Sequence, residues 1–93
     1  MRVRFSNRSI LQLAAIRDFI KLQSPRSAEL VRLRILATIE RLQSLPEMGH
    51  VKRKNGTREL RVNGLPHIIV YRVDSAATED LVILGFFHAS QDR

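Results

Sequence analysis

Cysteine is absent from the 93 residues, so neither a disulfide framework nor a thiolate metal site is available. Histidine is scarce as well. His50, His67 and His88 lie far apart and lack the close ligand spacing of structural zinc sites. No metal and no cofactor are therefore expected. No apolar run approaches the roughly 20 residues needed to span a bilayer, and Met1–Phe5 has no signal-peptide core. The expectation is a cytoplasmic protein with no membrane partner. Acidic residues are few too, 9 against 16 Lys and Arg. The resulting net charge of +7 points to an acidic partner: nucleic acid, a machine that handles it, or an acidic protein segment.

The standard catalytic signatures are missing. There is no Gly-rich phosphate loop, no G-x-S-x-G elbow and no H-E-x-x-H. No serine stands in a context suggesting a triad. What remains is a chain of one-domain length with 44% hydrophobic residues, enough for a single core but not for two.

The stretch Gly56–Tyr71 organises the rest. Two β-rich runs, Thr57–Val62 and His67–Tyr71, flank Asn63-Gly64-Leu65-Pro66, a hairpin signal. Alternation puts Arg58, Leu60 and Val62 on one face and Thr57, Glu59 and Arg61 on the other. Pro66 has no N–H for a ladder and belongs to the connection. Glu59 and its neighbour Arg61 read as an ion pair.

Upstream, Arg2–Phe5 alternates as a short first strand. Ser6-Asn7 offers an N-cap for a helix over Arg8–Leu22, whose Ile10, Leu13, Ile16 and Ile20 form an apolar face. Ser24 with Pro25 starts a second helix, Pro25–Ser44. Its stripe is Ala28, Val31, Ile35, Ile39 and Leu42; Leu30 and Leu33 fall elsewhere, beside Arg34. So short a link makes the helices an antiparallel hairpin. Leu45–Gly49 breaks the second helix, and His50–Asn55 follows as a basic loop in which Lys52, Arg53 and Lys54 are the phosphate-contact candidates. Downstream, Leu81–Phe87 is continuously apolar, hence a strand buried on both faces. The order is β-α-α-β-β-β, an α+β domain with the helical hairpin packed on an antiparallel-rich sheet.

For chemistry on RNA, the residues able to supply a base, an acid and cations are Glu59, Arg61, His67 and His88, with Arg58 and Lys54 nearby.

At Gly56-Thr57-Arg58-Glu59-Leu60, Pro66–Val73 and the closing Phe87-His88-Ala89-Ser90-Gln91, the chain resembles the RelE/ParE toxins of bacterial type II toxin–antitoxin systems. Pro46-Glu47-Met48-Gly49 matches the P-x-x-G that follows the second helix in that superfamily. The resemblance implies the RelE/ParE toxin fold and a growth-inhibiting toxin neutralised by a cognate antitoxin. RelE-like members cleave mRNA on the ribosome, whereas ParE-like members poison DNA gyrase. The arginine that opens the R-L-V-Y strand in nucleases is replaced here by Ile68. Their paired lysines align with Thr57 and Glu59, and no tyrosine follows His88. These departures remove a transition-state cation and favour the ParE branch, with the mRNA endonuclease as the alternative. The toxic surface is expected to combine Arg58, Arg61, Arg72, His88 and Gln91. The antitoxin is expected to cover Leu30, Leu33 and Arg34.

Overall fold

A computed structural model describes residues 1–52, 56–74 and 79–90. The elements are β1 (Val3–Phe5), α1 (Asn7–Gln23), α2 (Pro25–Ser44), β2 (His50–Val51), β3 (Arg58–Arg61), β4 (His67–Asp74) and β5 (Asp80–His88). They form one sheet in the order β1-β5-β4-β3-β2. Among the described strands, only the β1–β5 pair is parallel. Two helices pack on this sheet, so the α+β architecture expected from the sequence is the one observed.

Both helices start as their sequences require. The Ser6 hydroxyl accepts from the Ser9 N–H at 3.1 Å, capping α1. Ser24 serves two helices at once. Its N–H donates to the Ile20 carbonyl and ends α1, while its hydroxyl accepts from the Ser27 N–H and starts α2, with Pro25 in the first turn. The one-residue link brings the two helices into contact with each other.

α2 supplies Ile35, Ile39 and Leu42 to a core shared with Val62, Ile69, Tyr71, Leu81, Ile83 and Phe86. α1 behaves differently from its apolar pattern. Its only fully buried residue is Ser9, and Ile10 is 52% exposed. The cause is its position. β1 pairs with β5 only over Leu81–Ile83, leaving the rest of that β5 edge without a strand. α1 lies along this edge. Its Gln12 Oε1 accepts from the Phe86 N–H at 2.9 Å, and Ser6 just before it donates its hydroxyl to the Leu84 carbonyl. These side chains satisfy strand-edge groups that no ladder reaches.

Two sequence expectations change. His50–Val51 is not loop but a short edge strand paired with Glu59 and Arg58. In β5 the alternation breaks at Leu84: Tyr71 pairs with Ile83, whereas Val70 pairs with Gly85. This β-bulge lets Ile83 and Phe86, three residues apart, both face the core.

Candidate functional site

In the β3–β4 hairpin, paired residues share a face. His67, Ile69 and Tyr71 are buried under the helices, while Ile68, Val70 and Arg72 between them face the other way. By register, Glu59 opposite Val70 and Arg61 opposite Ile68 lie on the outward face. Arg58, opposite Tyr71, lies on the helix side. This corrects the expected grouping: Arg58 does not share a surface with Arg61 and Arg72.

Arg58 is instead built into the fold. Its Nη1 donates to the carbonyls of Gly49 (2.9 Å) and Glu47 (3.2 Å). The same turn is gripped from β4, where the Tyr71 hydroxyl donates to the Pro46 carbonyl at 2.6 Å and accepts from the Gly49 N–H at 2.9 Å. A side chain at Gly49 would run into the Tyr71 ring, with its Cβ 2.8 Å from Cε1. The P-x-x-G segment, the arginine of G-T-R-E-L and the lone tyrosine thus form one structural joint. Sequence reading missed this joint. The signal was a tyrosine directly after the aliphatic run Ile68–Val70, since a buried hydroxyl needs partners. Burial raises the Tyr71 pKa, partly opposed by the Gly49 N–H and the Arg58 charge.

Arg34 also has an intramolecular task. It donates to the Asn63 carbonyl at 3.2 Å, tying α2 to the hairpin turn. Gly64 in that turn has φ +79°, and a Cβ there would collide with the Arg34 guanidinium.

The outward face carries the other candidates. Glu59 pairs with Lys52 at 3.5 Å, while Arg61 donates through Nε to the Leu65 carbonyl. The expected Glu59–Arg61 pair is therefore replaced, because the adjacent edge strand brings a lysine to the glutamate. Arg72 has no side-chain hydrogen bond or ion pair among the described residues. At the far end the buried Asp80 carboxylate is held by Arg4 (2.9 Å) and Arg2 (3.3 Å). Arg8, which sequence reading passed over as helix start, places its guanidinium 5.0 Å from the Phe87 ring centroid.

His67 and His88 are cross-strand partners on the helix side, their rings edge to face with centroids 5.9 Å apart. His67 is buried and its Nδ1 has no hydrogen-bond partner among the described residues. Burial, then the neighbouring His88, lower its pKa below 6.5. His88 is exposed and its Nδ1 meets Ser90. Both line a cavity of about 550 Å³ whose walls include Phe19, Ile20 and Phe86.

Leu30 and Leu33 are 55% and 49% exposed, on the solvent side of α2. Leu36 on α2 and Leu11, Phe19 and Leu22 on α1 are exposed as well. The remaining candidates, Arg53, Lys54 and Gln91, lie outside the described residues.

Residues 3–93 match the family model described as ParE toxin of type II toxin–antitoxin system, parDE. A curated protein named "Putative toxin Y4kP", from Sinorhizobium fredii (strain NBRC 101917 / NGR234), is 33% identical over 90 residues. The alignment covers 97% of this chain and 90% of that protein. Among solved structures, a chain of the chromosomal ParDE system from P. aeruginosa superposes with a TM-score of 0.77 at 22% identity, covering 95% of both chains. A chain of the toxin–antitoxin complex RelBE2 from Mycobacterium tuberculosis does so with 0.65 at 24% identity, covering 94% of this chain and 95% of that one. These two similarities concern the fold.

Proposed function

The chain belongs to the ParE toxin family of type II toxin–antitoxin systems, and on that premise we propose that it arrests growth by poisoning DNA gyrase and is neutralised by a cognate antitoxin. One observation carries the choice of gyrase over ribosome-bound mRNA. The groups that RNA cleavage would need are divided between the two faces of the sheet. Glu59 and Arg61 face outward; His67 and His88 sit on the helix side. A base, an acid and a cation must converge within hydrogen-bond reach of one phosphate, and a β-sheet keeps these four apart. Glu59 is moreover engaged by Lys52.

Gyrase contact is assigned to Arg61 and Arg72 on the outward face, together with Gln91; His88 lies on the helix side beside His67 and is not part of it. Arg58 leaves this set, since its guanidinium holds the Pro46–Gly49 turn. The antitoxin reading is supported by the two solved relatives, both from toxin–antitoxin systems, and by the exposed leucines of α2. An antitoxin tail that folds on the toxin would bury Leu30 and Leu33 while its acidic groups meet the net positive charge. Gyrase and a protein antitoxin both place the toxin in the cytoplasm, and no described helix is long and apolar enough to cross a membrane.

The test is a pair of assays on one purified preparation. Gyrase supercoiling with trapping of cleavage complexes is run beside mRNA cleavage on translating ribosomes. Accumulated gyrase–DNA cleavage complexes with intact mRNA are the expected result. Site-specific mRNA cuts with normal supercoiling would overturn it.

A further inference from the structure

The helices occupy one side of the sheet, and the other side carries a charge pattern of its own. Arg61, Ile68 and Phe87 share one row across β3, β4 and β5; Arg72, Val82 and Arg4 share another further along. Between the rows lie Glu59, Val70 and Gly85, the last with no side chain. Ile68, Val70, Val82 and Phe87 thus lie between Arg61 at one end of this face and Arg72 and Arg4 at the other.

Among the described residues, the carboxylates on this side are engaged. Glu59 pairs with Lys52, Asp80 with Arg2 and Arg4, and Asp74 with Arg4. Cationic groups are left over. Arg61 uses its Nε on the Leu65 carbonyl, which leaves its terminal nitrogens to point elsewhere. Arg72 has no partner among the described residues. Arg8 meets the face of Phe87. From strand geometry, with about 3.3 Å per residue and about 4.8 Å between strands, the Arg61 and Arg72 backbones stand about 14 Å apart. That span is close to the roughly 12 Å width of the major groove between phosphate strands of B-DNA.

We propose that this outer face binds the phosphodiester backbone of duplex DNA, with Arg8, Arg61 and Arg72 as its phosphate contacts. The inference rests on the gyrase reading for its setting, the duplex being the segment that gyrase holds. Arginine suits the task, because its planar fork pairs with phosphate through two hydrogen bonds. An acidic peptide fits less well. Peptides dock by adding main-chain hydrogen bonds at a sheet edge or by filling an apolar groove, and the middle of a sheet face offers neither.

The test compares the wild-type chain with the triple variant Arg8→Ala/Arg61→Ala/Arg72→Ala, first confirmed to melt like wild type. Binding of a fluorescent 20-base-pair duplex is measured at 50 and 200 mM salt, beside gyrase cleavage-complex formation and antitoxin binding. Three phosphate contacts predict roughly forty-fold weaker wild-type binding at the higher salt. The triple variant should bind the duplex at least tenfold more weakly and lose cleavage-complex formation, with antitoxin binding kept. Equal duplex binding by the two proteins overturns the proposal, as does loss of antitoxin binding with trapping intact, which would make the face an antitoxin surface. The two readings fail separately. Salt-sensitive duplex binding without any wild-type cleavage complexes sinks the gyrase reading and supports the face. Cleavage complexes formed equally by both proteins sink the face and leave gyrase standing.

Discussion

The hydroxyl of Tyr71 and the backbone N–H of Gly49, 22 residues apart, are joined by a buried 2.9 Å hydrogen bond. A second bond from the same hydroxyl reaches the Pro46 carbonyl. Together they fix the exit of α2 to the centre of the sheet. Tyr71→Phe keeps the ring and leaves the Gly49 N–H and the Pro46 carbonyl without this partner. Each buried polar group so orphaned costs about 1–3 kcal/mol. For a domain of this size 1 kcal/mol moves Tm by roughly 4–8 °C, so calorimetry reads the loss directly. An unchanged Tm would mean that the joint contributes nothing.

Arg58 and Arg61 should separate by assay, although they are three residues apart on one strand. Arg58→Ala removes charged hydrogen bonds to two carbonyls and should lower stability by roughly 1–2 kcal/mol. Arg61→Ala and Arg72→Ala change exposed or half-buried outward positions and should stay within about 0.5 kcal/mol of wild type. Growth arrest should weaken in the latter two at normal expression. In Arg58→Ala it should fall only in proportion to the folded fraction. Wild-type melting of Arg58→Ala would refute its structural role.

The buried His67 makes stability depend on pH. Its folded pKa lies below the ordinary 6.5 because burial, and then His88, disfavour the cation. The unfolded chain therefore binds the proton more readily. The sign follows: this contribution is complete above about pH 6.5 and is lost as pH falls through the depressed folded value. Melts between pH 7.5 and 5 should show the decline, and His67→Leu should flatten it. A decline of equal slope in His67→Leu would assign it to other groups.

The exposed leucines of α2 carry the antitoxin assignment. Leu30→Asp and Leu33→Asp alter positions 55% and 49% exposed in the free chain, so folding should be nearly unaffected. Affinity for the antitoxin should fall at least tenfold, while growth arrest in cells without antitoxin persists. Undiminished antitoxin binding by both variants would move that interface elsewhere.

Much of this protein was legible in its residues. Ser6, Ser24 and Pro25 mark helix boundaries through local hydrogen bonds and a fixed φ, and α2 spans Pro25–Ser44 as its pattern requires. Asn63-Gly64 marks the hairpin turn because glycine tolerates the positive φ found there. The alternation of Arg58–Val62 correctly divided β3 between two faces. All of these signals act over a few residues of chain.

Tertiary structure decided the rest. That α1 would lie along a strand edge, leaving Ile10 exposed, depended on how far β1 pairs with β5. The bulge at Leu84 reset which of Phe86 and Phe87 meets the core, and a continuously apolar run carries no phase by which to foresee it. Arg58 looked like surface charge until the Pro46–Gly49 turn supplied carbonyls for it. Arg8 joined the outward face only because α1 begins beside Phe87. Periodicity along the chain fixes which way a side chain points within its own element. What it meets there depends on elements tens of residues away, brought close by the packing of the whole core.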